Sequence, residues 1–212
     1  MKQGLTEIIC ILDMTGSMAG QVGDTIGGFN QFIKEQLELP GECKVTVVFF
    51  NSSEYRVWQE AKDVKDVPEL TGLIYTPRMN TPLIDAMAKT IVNVGKRLEE
   101  TPEDERPERV LVMTMTDGQE NWSKEFTKER LIEMIRTQRE EFSWEFVFLG
   151  ADLDSFGQGQ QYGIANAVNY AGSTKRGYDV MRCAASNYRK TGNVGDLNDL
   201  SDCSELPDLD SK

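Results

Sequence analysis

The chain has 212 residues, 39% of them apolar and 27% charged, which suits one α/β domain with a full core and is short for two. Its formal net charge of −12 argues against nucleic-acid phosphates and anionic membrane surfaces, and favours a cation or a basic face on a partner. It contains no histidine, which excludes Ser-His-Asp and Cys-His nucleophilic sites, HExxH zinc sites and two-histidine iron sites.

In chain order, residues 8–12 (Ile-Ile-Cys-Ile-Leu) read as a buried strand. Val22, Ile26, Phe29, Ile33 and Leu37 recur at helical spacing and predict one buried helix face. Residues 45–50 predict a second strand, and 55–59 a hairpin partner beside it. Ile84, Met87, Ile91, Val94 and Leu98 predict a second helix, with Thr81 as its N-cap and Pro82 at its first position. Residues 110–115 and 146–149 read as buried strands, with a helix between them from the cap Thr127 to about Glu141. Asp154 is expected to cap a short helix stopped by Gly163, residues 167–170 form a weak edge strand, and Ser173 or Thr174 caps a last helix ending near Gly192. This order predicts a doubly wound, mostly parallel sheet with helices on both faces and one antiparallel edge strand.

No apolar run approaches the roughly 20 residues of a membrane helix, and none ahead of the Asp13 loop is long enough to predict a signal peptide. Cys10, Cys43, Cys183 and Cys203 are widely spaced without a CxxC, so free thiols and a cytoplasmic setting are expected. Residues 1–192 form the expected domain. Residues 193–212 carry six acids against Lys212 alone, and most of the acids are followed by an apolar residue (Asp196-Leu197, Asp199-Leu200, Asp202-Cys203, Glu205-Leu206, Asp208-Leu209). Composition predicts a disordered acidic tail, with an extended docking segment as the alternative.

Ligands of a doubly wound sheet bind beyond the carboxyl ends of its strands. There the sequence places Asp13, Thr15 and Ser17 after the first strand and Asp117 after the 110–115 strand, with Thr81 heading the helix between. All five are oxygen donors, which select a hard dication: Mg²⁺ or Mn²⁺, with Ca²⁺ less favoured. Three are neutral hydroxyls, so a dication held here keeps much of its charge and seeks a carboxylate from outside. Singly, each residue has an ordinary role as a turn former or helix cap; it is their convergence on one sheet end that points to a metal.

Asp13-Met14-Thr15-Gly16-Ser17, Thr81, and Thr116-Asp117-Gly118 together resemble the metal-ion-dependent adhesion site (MIDAS) of von Willebrand factor A (VWA) domains, over roughly residues 5–190. The resemblance implies an intracellular VWA domain of prokaryotic or phage type. It implies that Ser17 and Thr15 contact the metal through hydroxyls, that Thr81 joins when a ligand is bound, and that Asp13 and Asp117 act largely through metal-bound waters. The remaining position belongs to a partner's Asp or Glu, in a protein assembly of the kind that includes AAA+ ATPases. Two departures stand out: Thr15 replaces the commoner Ser, and Arg78-Met79-Asn80 precedes Thr81 where many relatives have a Gly. Arg78 is a candidate to meet an incoming carboxylate, and Asp85 to hold a water or favour its helix N-terminus.

Gln119-Glu120-Asn121 either line the site or only shape the loop, and Met18 and Trp122 belong to its rim or to packing. Gly20, Gly23, Gly27 and Gly28 lack the Lys-Ser/Thr ending of a phosphate cradle, and close helix–sheet packing explains them better. The competing function is a Mg²⁺-dependent phosphoryl-transfer enzyme with Asp13 as nucleophile. Haloacid-dehalogenase-like phosphatases place a second Asp two residues on, where this chain has Thr15. A third idea gives the acidic tail the role of ligand, to its own domain or to another copy.

Overall fold

Ile8, Cys10 and Leu12 point to one side of the first strand and Ile9 and Ile11 to the other, and all five are buried. Such a strand must be covered on both faces. In the computed structural model, which describes residues 1–151, 153–171 and 173–199, this strand is β1 (Lys2–Asp13). It is followed by α1 (Val22–Glu38), β2 (Glu42–Asn51), β3 (Glu54–Asp63), α2 (Leu83–Glu100) and β4 (Pro107–Thr116). The chain continues through α3 (Lys128–Phe142), β5 (Glu145–Gly150), α4 (Leu153–Gln161), β6 (Asn166–Asn169) and α5 (Thr174–Thr191). The sheet order is β3-β2-β1-β4-β5-β6. Only β3 runs antiparallel, against β2. The winding reverses between β1 and β4, the point where such sheets open a crevice at their carboxyl ends.

One face packs α1 and α5 on the sheet through Phe29, Phe32, Tyr178, Met181 and Ala184. The other packs α2 and α3 through Met87, Ile91, Leu131 and Ile135. Phe29 and Phe32 are wholly buried, each stabilising the fold by about 1.5–3 kcal/mol. The α1 face is rotated from the sequence expectation: Leu37 is exposed and Phe32 takes its place in the core. A methyl on Gly28 would stand 2.3 Å from the Tyr178 ring. Gly28 therefore serves helix–helix rather than helix–sheet packing, while Gly20, Gly23 and Gly27 face open space.

The expected caps hold at Thr127, whose hydroxyl accepts from Arg130 N, and at Ser173, which accepts from Arg176 N. Gly192 and Gly163 end α5 and the α4 turn at φ 79. Asp154 falls inside α4 rather than before it. Thr81 does not cap α2: Pro82 stands at the cap position, and the free amides are met from outside, Ile84 N by Glu120 and Asp85 N by Ser123. Cys10 and Cys43 are free and buried, whereas Cys183 is disulfide-bonded, which corrects the expectation of free thiols throughout.

At the pole where β1 and β4 begin, Arg109 donates to the carbonyls of Tyr188 and Arg189 at the end of α5. The chain beyond α5 packs there, with Val194 and Leu197 buried; residues 200–212 of the acidic segment lie outside the described residues. Among the described residues no helix is long and apolar enough to cross a membrane.

Candidate metal centre

β1 ends at Asp13 and β4 at Thr116, so parallel pairing delivers both to one edge of the crevice. Asp13 is 1% exposed. Its Oδ1 accepts from Thr15 N (2.7 Å) and its Oδ2 from Thr116 Oγ1 (2.5 Å). Tyr75 Oη donates to the Asp13 carbonyl (2.5 Å) and so pins the loop before α2 beneath the site. Burial pushes the Asp13 carboxyl up to about 6, against the pull of its hydrogen bonds from Thr116 and Thr15; the nearby Asp117 charge adds to the rise.

From Asp13 the donors follow in a line. Thr15 Oγ1 lies 3.1 Å from Ser17 Oγ, and Ser17 Oγ donates to Asp117 Oδ1 (2.6 Å). With the Ser17 proton committed to Asp117, Thr15 is the donor of the 3.1 Å contact. Asp117 Oδ2 accepts from Gln21 Nε2 (3.0 Å), and Gln21 Oε1 accepts in turn from Thr174 Oγ1 at the start of α5. Thr81 reaches the group beside Gly118. A methyl placed on Gly118 would stand 3.1 Å from Thr81 Oγ1 and 3.6 Å from Ser17 Oγ, so the absent side chain of Gly118 leaves the space these hydroxyls share. All five residues singled out in the sequence, Asp13, Thr15, Ser17, Thr81 and Asp117, therefore converge.

The loop carrying Thr81 is held by backbone bonds. Gly16 N donates to Met79 O (2.9 Å), Arg78 N to Met14 O (3.0 Å) and Ser52 N to Asn80 O (3.0 Å). Asn121 grips Thr81 twice, its Oδ1 accepting from Thr81 N (2.9 Å) and its N–H donating to Thr81 O (3.1 Å). Met79 sits at φ 67, a left-handed conformation that favours glycine.

Several neighbours take roles other than those expected. Arg78 pairs with Glu54 at 3.2 Å instead of facing an incoming acid. The Asp85 carboxylate accepts the backbone N–H groups of Lys124, Glu125 and Phe126 and so anchors the loop after β4. Glu120 ties that loop to the start of α2, and Gln119 is exposed. Met18 is core, while Trp122 is 43% exposed with Lys124 Nζ 4.5 Å from its ring centre. The sequence pattern includes Thr116 in the Thr116-Asp117-Gly118 motif without giving it a role, and gives Gln21 none. Thr116 carried a signal, a hydroxyl at a strand end beside Asp117; Gln21 carried none.

The donor set suits a hard dication. Among the described residues no cluster of three or more His, Cys, Asp or Glu side chains gathers anywhere, so a metal at this crevice takes hydroxyl as well as carboxylate oxygens. Hydroxyls that donate to a carboxylate turn lone pairs outward, which is the orientation a cation needs.

No protein-family model and no curated protein matches the sequence. Solved structures do match. The SpRpn10 VWA domain aligns at TM-score 0.50 and 8% identity, over 77% of this chain and 85% of that one. Proximal thread matrix protein 1 from the mussel byssus aligns at TM-score 0.45 and 18% identity over 69% of this chain; the chain spans about a third (35%) of that protein's length. Another structure of the mussel protein, with a zinc-occupied MIDAS motif, aligns at TM-score 0.44 and 18% identity, over 69% of this chain and 36% of that one. At such identities the likeness is one of fold, and the fold is that of a VWA domain.

Proposed function

We infer that this chain is a protein-interaction module that holds Mg²⁺ or Mn²⁺ at Asp13, Thr15, Ser17, Thr81 and Asp117 and uses the metal to grip an Asp or Glu of a partner. The observation that carries this is the setting of Asp13. It is almost wholly buried and held by neutral donors, hydroxyls and an amide, with no ion pair to any described residue, beside a second carboxylate. A dication supplies the missing positive charge and, when bound, leaves room in its coordination for an outside carboxylate. The chain's residues hold, orient and partly desolvate that cation. A multiprotein assembly, such as one built on an AAA+ ATPase, is the setting we propose.

We propose no catalytic role. Phosphoryl transfer through Asp13 needs an accessible nucleophile, and both Asp13 oxygens are hydrogen-bonded and buried. We propose a cytoplasmic location on the free thiols Cys10 and Cys43. The Cys183 disulfide runs against it, and thiol counting on chain isolated under alkylation decides between the two.

The test is calorimetric titration of Mg²⁺ and Mn²⁺ into metal-stripped protein, with and without added glutamate as a stand-in carboxylate. Saturable one-site binding, lost in Asp117→Ala, is expected. Absence of binding with either metal, glutamate present or not, overturns the reading.

A further inference from the structure

A cleft of about 290 Å³ opens beside the five donors without including any of them. Its walls are Ser52 and Ser53 of the β2–β3 turn, Tyr55 of β3, Lys89 of α2, and Trp122 and Lys124 of the loop after β4. Three joints hold it against the centre. Pro82 lines the cleft and directly follows the donor Thr81. Trp122 directly follows Asn121, which grips Thr81. Ser52 donates its N–H to Asn80 O and accepts from Asn80 N at its Oγ. Met79, 58% exposed, forms an apolar rim where cleft and centre meet. Its carbonyl takes Gly16 N, between the donors Thr15 and Ser17, and its neighbours Arg78 and Asn80 reach Glu54 and Ser52 of the cleft.

Charge decides what the cleft takes. Three acids line it, Glu54, Asp85 and Glu125, and each is already engaged. Glu54 pairs with Arg78 and Glu125 with Lys89 (2.6 Å). Asp85 is 6% exposed and accepts the N–H groups of Lys124, Glu125 and Phe126. Lys124 is left over: it has no carboxylate partner among the described residues, and its Nζ stands 4.5 Å from the centre of the Trp122 ring. A cation–π contact positions an ammonium without neutralising it. A dication in the centre, when bound, adds its own attraction for an anion nearby. A basic side chain in the same place would face two ammoniums. The volume lies at the small end for ligand pockets, roughly 300–1,000 Å³, and suits a side chain rather than a cofactor.

We propose that the cleft receives a second carboxylate of the partner, from an Asp or Glu close in sequence to the one on the metal, so that this chain reads an acidic pair rather than a single acid. Lys124 pairs with that carboxylate, and Trp122 and Met79 pack against the apolar stem and backbone that join the two acids. This rests on the metal-dependent grip proposed above. The acids must be near neighbours, because centre and cleft share the consecutive residues Thr81-Pro82 and Asn121-Trp122, and consecutive Cα atoms are only ~3.8 Å apart.

The test is calorimetric titration of Gly/Ser peptides into the full chain, in Mn²⁺ and in EDTA. One peptide carries a single Glu, and the others carry two Glu separated by zero, one or two residues. In Mn²⁺ the best two-acid peptide should bind about fivefold tighter than the one-acid peptide, the upper end for a solvent-reached ion pair, and the advantage should shrink as NaCl is raised. Lys124→Gln should remove the advantage and Lys124→Arg should keep it, with Mn²⁺ affinity and one-acid affinity unchanged in both. Equal binding of one- and two-acid peptides to the Mn²⁺-loaded wild type overturns the acidic pair and leaves the metal reading standing. An advantage that survives Lys124→Gln belongs to another surface and also overturns it, as does loss of one-acid binding in that variant. Absent Mn²⁺ binding, or peptide capture that is the same in EDTA, removes both readings.

Discussion

Glu7 and Asp13 sit on the same strand with their carboxylates almost wholly out of water, yet they are kept there in different ways. Glu7 Oε1 accepts from Arg97 Nη2 (2.5 Å) and from Thr46 Oγ1 (2.8 Å). Glu35, equally buried, lies 2.7 Å from Arg182. Asp13, at the crevice, meets only hydroxyls and an amide among the described residues. An acid neutralised by an internal arginine is finished as a piece of architecture. An acid buried on neutral donors still lacks a positive charge, and it lies where the sheet opens to solvent. The difference separates a structural carboxylate from one suited to an outside cation.

The largest effect expected from breaking this contrast is at Arg97. Arg97→Ala leaves Glu7 buried without its partner and should cost about 3–5 kcal/mol in urea unfolding, unchanged by Mg²⁺. Asp13→Asn should do the reverse, abolishing metal binding in calorimetry while costing the metal-free protein little. Equal stability losses in the two variants would erase the distinction.

Next in size is a pH effect at Asp13. Its folded value of about 6 lies above its ordinary 3.8, so the folded state binds this proton more tightly than the unfolded chain. Its contribution to stability is complete below about pH 4 and lost as the pH rises through 6, on the order of 3 kcal/mol in all. The difference in unfolding free energy between the metal-free wild type and Asp13→Asn should follow that curve. Saturating Mg²⁺ should flatten it, because a bound dication favours the ionised carboxyl. A pH-independent difference would mean that Asp13 is not desolvated as described.

Gly118 sharpens the comparison further. A methyl there meets Thr81 Oγ1 at 3.1 Å and Ser17 Oγ at 3.6 Å. Gly118→Ala should weaken Mn²⁺ binding roughly tenfold to a hundredfold, the range for disturbed support of a metal site, while the melting temperature moves by only a few degrees. Unaltered affinity would place the cation elsewhere.

The donors were legible because residue type and strand ends coincide: Asp13 closes a run of buried apolar residues, and Asp117 follows the end of a buried strand. What keeps them in place was not. Thr81 reads as a helix cap, and only the contacts from Glu120 and Ser123 show that α2 is capped by a distant loop. The first half of β1 escaped notice because Lys2, Gln3 and Gly4 show no alternation. On α1, steps of four, three, four and four drift by about 60° between Val22 and Leu37 at 3.6 residues per turn, enough to carry Leu37 into solvent while Phe32 turns inward. Pairings such as Glu7 with Arg97 join residues ninety positions apart and leave no local trace.

The smallest expected effect lies on the Thr81 side of the crevice. Met79 holds a left-handed backbone, φ 67, and its side chain is largely exposed. Met79→Gly should raise stability by up to about 1 kcal/mol, since glycine adopts that conformation without a steric cost. Metal affinity should hardly change, because Met79 touches the centre only through a backbone carbonyl bonded to Gly16. Capture of an acidic partner should nevertheless weaken, by the loss of the apolar rim. A variant that is more stable, binds metal equally and captures less assigns the methionine to recognition. One that captures equally well confines recognition to the rest of the site, and leaves the strained residue without a function to explain it.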